Sequence, residues 1–104
     1  MHGRVARYTN KGDAHAIARR AEEGLLPILQ SQTGFKGYSV VEAGGEVISF
    51  SAWNSQEDAE AANHVAGDWV VANLGDELEL IDARVGEILF STTLGVSTKA
   101  GATV

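Results

Sequence analysis

The spacing of hydrophobic residues changes once along this chain, and the change predicts where a helix gives way to a sheet. Between residues 14 and 29 the hydrophobic positions recur every three to four residues, the period of an amphipathic helix. From Phe35 onward they alternate every second residue, the period of a strand. Gly34 lies between the two patterns, so we expect a turn there that leads from helix to sheet.

Two residues predict where this first helix begins and where it is interrupted. Asp13 directly precedes the periodic segment and can accept hydrogen bonds from the free N–H groups of the first turn. Pro27 lies inside the segment and has no N–H to donate to the carbonyl of Glu23. We therefore expect a kink, or a restart of the helix, between Gly24 and Leu26.

A β-hairpin follows. Residues 35–43 and 46–53 both alternate, and they are joined by Gly44 and Gly45, a two-residue signal typical of tight hairpin turns. In the second of these strands, Ile48 and Phe50 share one face. The opposite face carries Val47, Ser49, Ser51 and Trp53.

The remaining segments complete a β-α-β-β-α-β order. Residues 3–9 predict a first strand, and Ser55 opens a second helix in an approximate capping box. Gly67 and Asp68 could divide that helix into two pieces, and a continuous helix is the alternative. Residues 84–92 predict a last strand with an irregular lead-in at 78–81, and 94–104 predict a flexible C-terminal tail after a single domain at 1–93.

This order predicts an α+β fold of the ferredoxin-like type, with a four-stranded antiparallel sheet and both helices on one face. The other face would carry Ile48 and Phe50, which are too apolar to face water. A second copy packed sheet to sheet would cover them, so we predict a homodimer.

Composition narrows the function classes. The 104 residues carry a net charge of −6 and no cysteine. The basic residues are scattered, which is not the pattern of a nucleic-acid-binding surface, and no apolar run is long enough to span a membrane. We expect no nucleic-acid or membrane partner and a cytoplasmic location, and the histidines lack the spacing of a metal site.

Four segments resemble the antibiotic-biosynthesis-monooxygenase-like family. They are Leu26-Pro27-Ile28-Leu29, Gly34-Phe35-Lys36-Gly37-Tyr38, Trp53-Asn54-Ser55-Gln56-Glu57 and Gly86-Glu87-Ile88-Leu89. The resemblance implies a dimeric α/β barrel in which two ferredoxin-like sheets close against each other. It also implies a small hydrophobic or aromatic ligand, with oxygen chemistry that needs no cofactor.

In the oxygenases of this family the deprotonated substrate itself reduces molecular oxygen. The Trp that ends their third strand matches Trp53, whereas Ser49 and Ala59 stand where they carry Asn and Tyr. The haem-degrading branch uses an Asn, a Trp and a ligating His. This chain has Val5, Ala62 and Ala72 at about those positions, so haem degradation is not expected.

Six residues are the candidate site residues. We predict catalytic roles for Trp53 and His64, and substrate contact for Ser49, Ser51, Asn63 and Tyr38. Each has a structural alternative: Trp53 could be a packing residue, the serines could bond locally to backbone, and His64 would face solvent if the second helix is continuous. Arg4, Arg7 and Arg84 could form surface ion pairs or hold an anionic substrate. A non-catalytic binder and a bare dimerisation domain are the competing functions.

Overall fold

The structure, a computed structural model, describes residues 1–98. Its elements follow the predicted order and are given by their bounds: β1 (His2–Asn10), α1 (Ala14–Arg20), a π-helical turn (Ala21–Leu25), α2 (Leu26–Gln30), β2 (Phe35–Ala43), β3 (Glu46–Trp53), α3 (Gln56–Leu74) and β4 (Leu78–Glu87). The strands form one antiparallel sheet in the order β2-β3-β1-β4. This is the ferredoxin-like arrangement predicted from the sequence.

The local signals for the first helix and the hairpin are confirmed. The carboxylate of Asp13 accepts hydrogen bonds from the backbone N–H groups of His15 and Ala16, which caps α1. Gly44 and Gly45 connect β2 to β3 with φ angles of +60° and +81°. Backbone angles of this sign favour glycine, which explains the Gly-Gly pair in the turn.

The expected interruption at Pro27 takes the form of a π-helical turn. The widened turn at Ala21–Leu25 precedes α2, in which Pro27 lies in the first turn, where its missing N–H costs little. A Cβ on Gly24 would lie 2.6 Å from Cζ2 of Trp69, so the glycine lets the indole pack against this turn. The interruption thus brings the first helical segment against α3.

Of the two alternatives for the second helix, the structure shows the continuous one. Helix α3 runs without a break from Gln56 to Leu74. A glycine inside a helix costs about 1 kcal/mol relative to alanine. The buried stripe on α3 offsets that cost, since it continues on both sides of Gly67: Ala59, Ala62, Ala66, Val70 and Leu74.

The predicted bounds of the last strand are wrong. Strand β4 begins at Leu78 and ends at Glu87, so the supposed lead-in is strand, and residues 88–92 lie beyond it. Pairing ends because the neighbouring β1 begins at His2, which is opposite Glu87, and the bond from Ile88 N–H to the Met1 carbonyl closes the ladder. A register shift lies between Arg7 and Tyr8.

Beyond β4, two backbone hydrogen bonds join Ser91 to Val96 and close a short turn. Part of the predicted flexible tail, residues 99–104, lies outside the described residues. No helix in the described part is long and apolar enough to cross a membrane.

The helices cover one face of the sheet, and the hydrophobic core lies between the two layers. The inward residues of β3 are buried as the alternation predicted: Val47, Ser49, Ser51 and Trp53. On the opposite face, apolar side chains remain in contact with water, with Val5 39% and Val41 54% exposed. The sheet therefore has one covered face and one open face, and the open face carries both apolar side chains and the ion pairs of Arg7 and Arg84.

Candidate functional site

A buried arginine is the centre of the polar groups inside the protein. Arg4 lies on the inner face of β1, and only 3% of its surface is exposed. Its Nε–H donates to Oδ1 of Asn63 over 2.7 Å, its Nη1 to the hydroxyl of Ser49 over 3.4 Å, and its Nη2 to the hydroxyl of Tyr8 over 3.3 Å. Two strands and the long helix α3 thus contribute to one hydrogen-bonded cluster, which we call the Arg4 cluster.

Backbone geometry places these side chains together. Arg4 and Tyr8 both point inward because residues of the same parity share a face of a strand. Ser51 lies opposite Arg4 in the sheet. Ser49, two residues before Ser51 on β3, lies opposite Ala6 and points to the same face. Asn63 reaches the cluster from α3, immediately after the buried Ala62.

The contact with Arg4 fixes the orientation of the Asn63 side chain. A guanidinium has only donors, so the amide oxygen must face it. The amide nitrogen, which carries two N–H donors, is then directed away from Arg4. Asn63 therefore offers hydrogen-bond donors beside a buried positive charge.

Two spaces adjoin the Arg4 cluster. An interior cavity of about 20 Å³, bordered by Arg4, Tyr8 and Ser49 among apolar residues, has room for roughly one water molecule. A groove of about 290 Å³ runs between α3 and the β1–β4 pair and reaches Arg4, Tyr8 and Asn63. Its outer edge is open, since Val71 and Leu80 are 77% and 56% exposed.

Tyr38 borders the same interior from the other side. It lines the small cavity and also a second groove of about 250 Å³, which is bounded by Ala18, Glu22 and Leu26. Burial raises the pKa of the Tyr38 phenol to about 12, although the nearby charge of Arg4 acts in the opposite direction. The phenol therefore stays protonated at neutral pH, where it can donate a hydrogen bond.

The structure brings Ser49, Asn63 and Tyr38 to these spaces, but not the other three predicted site residues. Trp53 is completely buried in a cluster with Leu25 and Leu29, and it borders neither the interior cavity nor the two grooves. Its indole N–H donates to Ser51 over 2.9 Å. The two residues thus satisfy each other, and a role in binding or catalysis stays a prediction for both.

His64 follows Asn63 on α3, and its side chain is exposed. This is the outcome expected of a continuous helix, and His64 lines neither the interior cavity nor the two grooves. A catalytic role for His64 therefore stays a prediction without a supporting contact. No group of three or more potential metal-binding side chains occurs within residues 1–98.

Sequence reasoning did not place Arg4 and Tyr8 in the site. Arg4 was grouped with Arg7 and Arg84 as a surface residue or anion holder, but the two others are in exposed or half-exposed ion pairs with Glu46 and Asp82. The sequence did show that Arg4, Ala6 and Tyr8 are alternate residues of one strand and therefore share a face. It could not decide which face was buried, because Val5 on the other face is also apolar.

Comparisons with solved structures identify proteins of the same architecture. The cofactor-independent oxygenase SnoaB from Streptomyces nogalater superposes with a TM-score of 0.67 at 13% identity, over 88% of this chain and 95% of that one. A Chloroflexus aurantiacus protein, described as a candidate antibiotic biosynthesis monooxygenase, gives 0.66 at 16% identity, over 90% and 98%. Rv0793 from Mycobacterium tuberculosis gives 0.63 at 19% identity, over 88% and 97%.

No family model matches the sequence, and no curated protein matches it. At identities this low, the structural similarity shows a shared fold. Activity has to be argued from the residues of the site.

Proposed function

Because the chain has the fold of the antibiotic-biosynthesis-monooxygenase-like proteins, we propose that it is a cofactor-independent monooxygenase acting on a small aromatic substrate inside each subunit. The observation that carries the proposal is the Arg4 cluster, a group of buried polar side chains next to an apolar groove. Polar groups are costly to bury, and a few of them converging on an apolar pocket is typical of ligand sites.

The groove offers what an aromatic substrate requires. Its walls include Val70, Leu78 and Ala83, and its volume of about 290 Å³ is at the lower end of the range for small-molecule sites. Asn63 is the polar group of α3 that borders it. An aromatic body would lie between α3 and the sheet, with its oxygen substituents toward Asn63.

With an anthrone-like substrate, the reaction converts the ring methylene to a carbonyl. The substrate loses a proton from carbon, and the resulting carbanion transfers an electron to O₂. The two radicals then combine to a hydroperoxide, which eliminates water, so that R₂CH₂ and O₂ give R₂C=O and H₂O. The negative charge of the carbanion is shared with the substrate carbonyl oxygen that is conjugated to it. The amide N–H of Asn63 would stabilise the charge on that oxygen.

The reaction also needs an acceptor for the proton that the substrate loses. No Asp, Glu or His borders either the interior cavity or the α3 groove among residues 1–98. The groove is open at its edge, so water can accept the proton from an acidic substrate. His64, one residue after Asn63, is the side-chain candidate and would have to reach the groove by moving.

The missing base is also the observation that favours a second function, a non-catalytic binder of small aromatic molecules. An oxygen electrode separates the two. If the protein is a monooxygenase, it should consume oxygen with anthrone-like or dihydroxyaromatic substrates without added flavin. Chelators should not lower the rate. Binding without uptake across that set would favour the binder.

Two variants test whether His64 and Trp53 take part in catalysis. If His64 is the base, His64→Ala lowers the rate and changes its pH dependence. If water is the acceptor, the variant retains the rate. Trp53→Phe lowers the rate only if the indole contributes to catalysis, so a stable variant with full activity would identify Trp53 as a packing residue.

A homodimer with sheet-to-sheet contact is part of the proposal, as is a cytoplasmic location. The support for the dimer is the apolar part of the open face, where Val5 and Phe50 border a groove of about 510 Å³ with the segment after β4. In that segment Leu89 and Phe90 are each 68% exposed. A second copy is the occupant with a matching apolar surface.

A further inference from the structure

Arg4 is a buried charge without a countercharge. It is the one charged residue among the buried side chains of residues 1–98. The ion pairs of the described residues involve Arg7, Lys11, Arg20 and Arg84, and none includes Arg4. The three oxygens that Arg4 does contact, on Asn63, Ser49 and Tyr8, are all neutral.

Neutral acceptors satisfy hydrogen bonds but do not balance the charge. Burying an unpaired ion is among the most costly arrangements in a protein interior, whereas buried charges are ordinarily paired or bound to metal. A protein that keeps such a group gains from it when an anion supplies the missing charge. The position of Arg4 at a groove makes a bound ligand the source of that anion.

The donors left on Arg4 define the anion that fits. A guanidinium has five N–H groups, and the three observed hydrogen bonds engage Nε, Nη1 and Nη2 once each. One N–H therefore remains on each terminal nitrogen. Two such donors on a planar fork match the two oxygens of a carboxylate, the geometry in which arginine binds carboxylates most strongly.

The α3 groove defines the rest of the ligand. Around Arg4 and Asn63 its lining is mainly apolar, and within the described residues it contains no acidic side chain that would repel an anion. We propose that Arg4 is the carboxylate-binding residue of this groove and that its ligand is a small aromatic acid. This proposal rests on the proposed function only for the location of the site, because anion binding can be measured without turnover.

The probes are a matched pair, 2-naphthoate and 2-naphthamide, which differ mainly in charge. Their dissociation constants for the wild-type protein are measured by calorimetry. Because a hydrogen bond to a charged group is worth more than one to a neutral group, naphthoate should bind about tenfold or more tightly. Equal affinity for the two compounds, or no binding of naphthoate, overturns the proposal.

Two arginines on β1 provide the matched variants. Arg4→Gln should reduce naphthoate affinity to that of naphthamide. Arg7→Gln should leave naphthoate affinity unchanged, since Arg7 is half-exposed and paired with Glu46. An equal loss in both variants would indicate nonspecific attraction and contradict the proposal. If Arg4→Gln does not fold, the wild-type comparison still decides, and Arg4→Lys tests the need for a planar fork.

A further pair, 4-nitrophenol and 4-nitroanisole, distinguishes a phenolate from a carboxylate. Binding of the phenolate in preference to naphthoate would overturn the carboxylate assignment.

Failure of the proposed function would be seen in a different measurement, oxygen uptake. Selective naphthoate binding without oxygen uptake on any substrate leaves this inference standing, whereas uptake on neutral substrates without any preference for acids supports the function and removes the inference.

Discussion

The Nε–H of Arg4 donates to Oδ1 of Asn63 over 2.7 Å and joins strand β1 to helix α3 across the protein interior. The bond orients the amide of Asn63, so one contact links a buried charge to a fixed set of donors. Its two members differ in exposure: Arg4 is buried, and Asn63 is half-buried at the edge of the groove. The pair thus has one member in the interior and one at a surface that a ligand can reach.

The stability of an Arg4 variant reports on the missing countercharge. Removing one partner of a buried ion pair typically costs about 3–5 kcal/mol, because the other charge is left unpaired. Arg4→Met leaves no such charge, and water in the groove can bond the freed oxygens of Asn63 and Tyr8, so its loss in the free energy of unfolding should be below about 3 kcal/mol. Urea denaturation measures this, and a larger loss would mean that Arg4 is a structural residue.

Two glycines test the packing between helices. Gly24→Ala places a Cβ 2.6 Å from the Trp69 ring, and such overpacking should cost about 1–3 kcal/mol of stability. Gly67→Ala is the control, since its Cβ has no neighbouring heavy atom within 4 Å outside its own helix backbone and chain neighbours. It should stabilise α3 by about 0.5–1 kcal/mol. A destabilised Gly67→Ala variant would contradict a continuous α3.

The raised pKa of Tyr38 predicts an alkaline loss of stability. Its phenol titrates near pH 10 in the unfolded chain and at about 12 in the folded protein. Between these values the unfolded state releases its proton first, so stability falls as the pH rises, by roughly 2 kcal/mol over the interval. Tyr38→Phe should lose less stability than wild type between pH 9 and 11. Parallel curves would show that Tyr38 is not shielded from solvent.

The oligomeric state tests the open face of the sheet. Val41→Glu introduces a charge on that face, and light scattering after size exclusion should show a shift from dimer to monomer. Val71→Glu is the control, because Val71 is exposed on α3, on the opposite side of the molecule. A wild-type monomer, or the same shift in both variants, would contradict sheet-to-sheet dimerisation.

The sequence predicted those parts of the fold that depend on local signals. Asp13, the Gly44-Gly45 turn and Ser55 each define an element boundary through hydrogen bonds or backbone angles within a few residues, and all three were placed correctly. The extent of β4 could not be predicted in this way. It depends on the length of β1, its neighbour in the sheet, and not on its own residues.

The candidate site was predicted less completely, because burial decides what a polar residue does. Ser49 and Ser51 are both inward, but one contacts Arg4 at a cavity and the other satisfies the indole of Trp53. Their alternation is the same, so the pattern cannot separate them. Likewise, the inward position of Arg4 depends on which face of β1 the helices cover.

The most direct test of the proposed oxygenase compares two asparagines on α3. Asn63 borders the groove, whereas Asn73 is exposed and its side chain donates a hydrogen bond to the carbonyl of Trp69. With an anthrone-like substrate, Asn63→Leu should lower kcat for oxygen uptake by about 100-fold, the typical effect of losing an oxyanion donor, while Asn73→Leu should retain the wild-type rate. Equal rates in the two variants, or no oxygen uptake by the wild-type protein, would contradict the account.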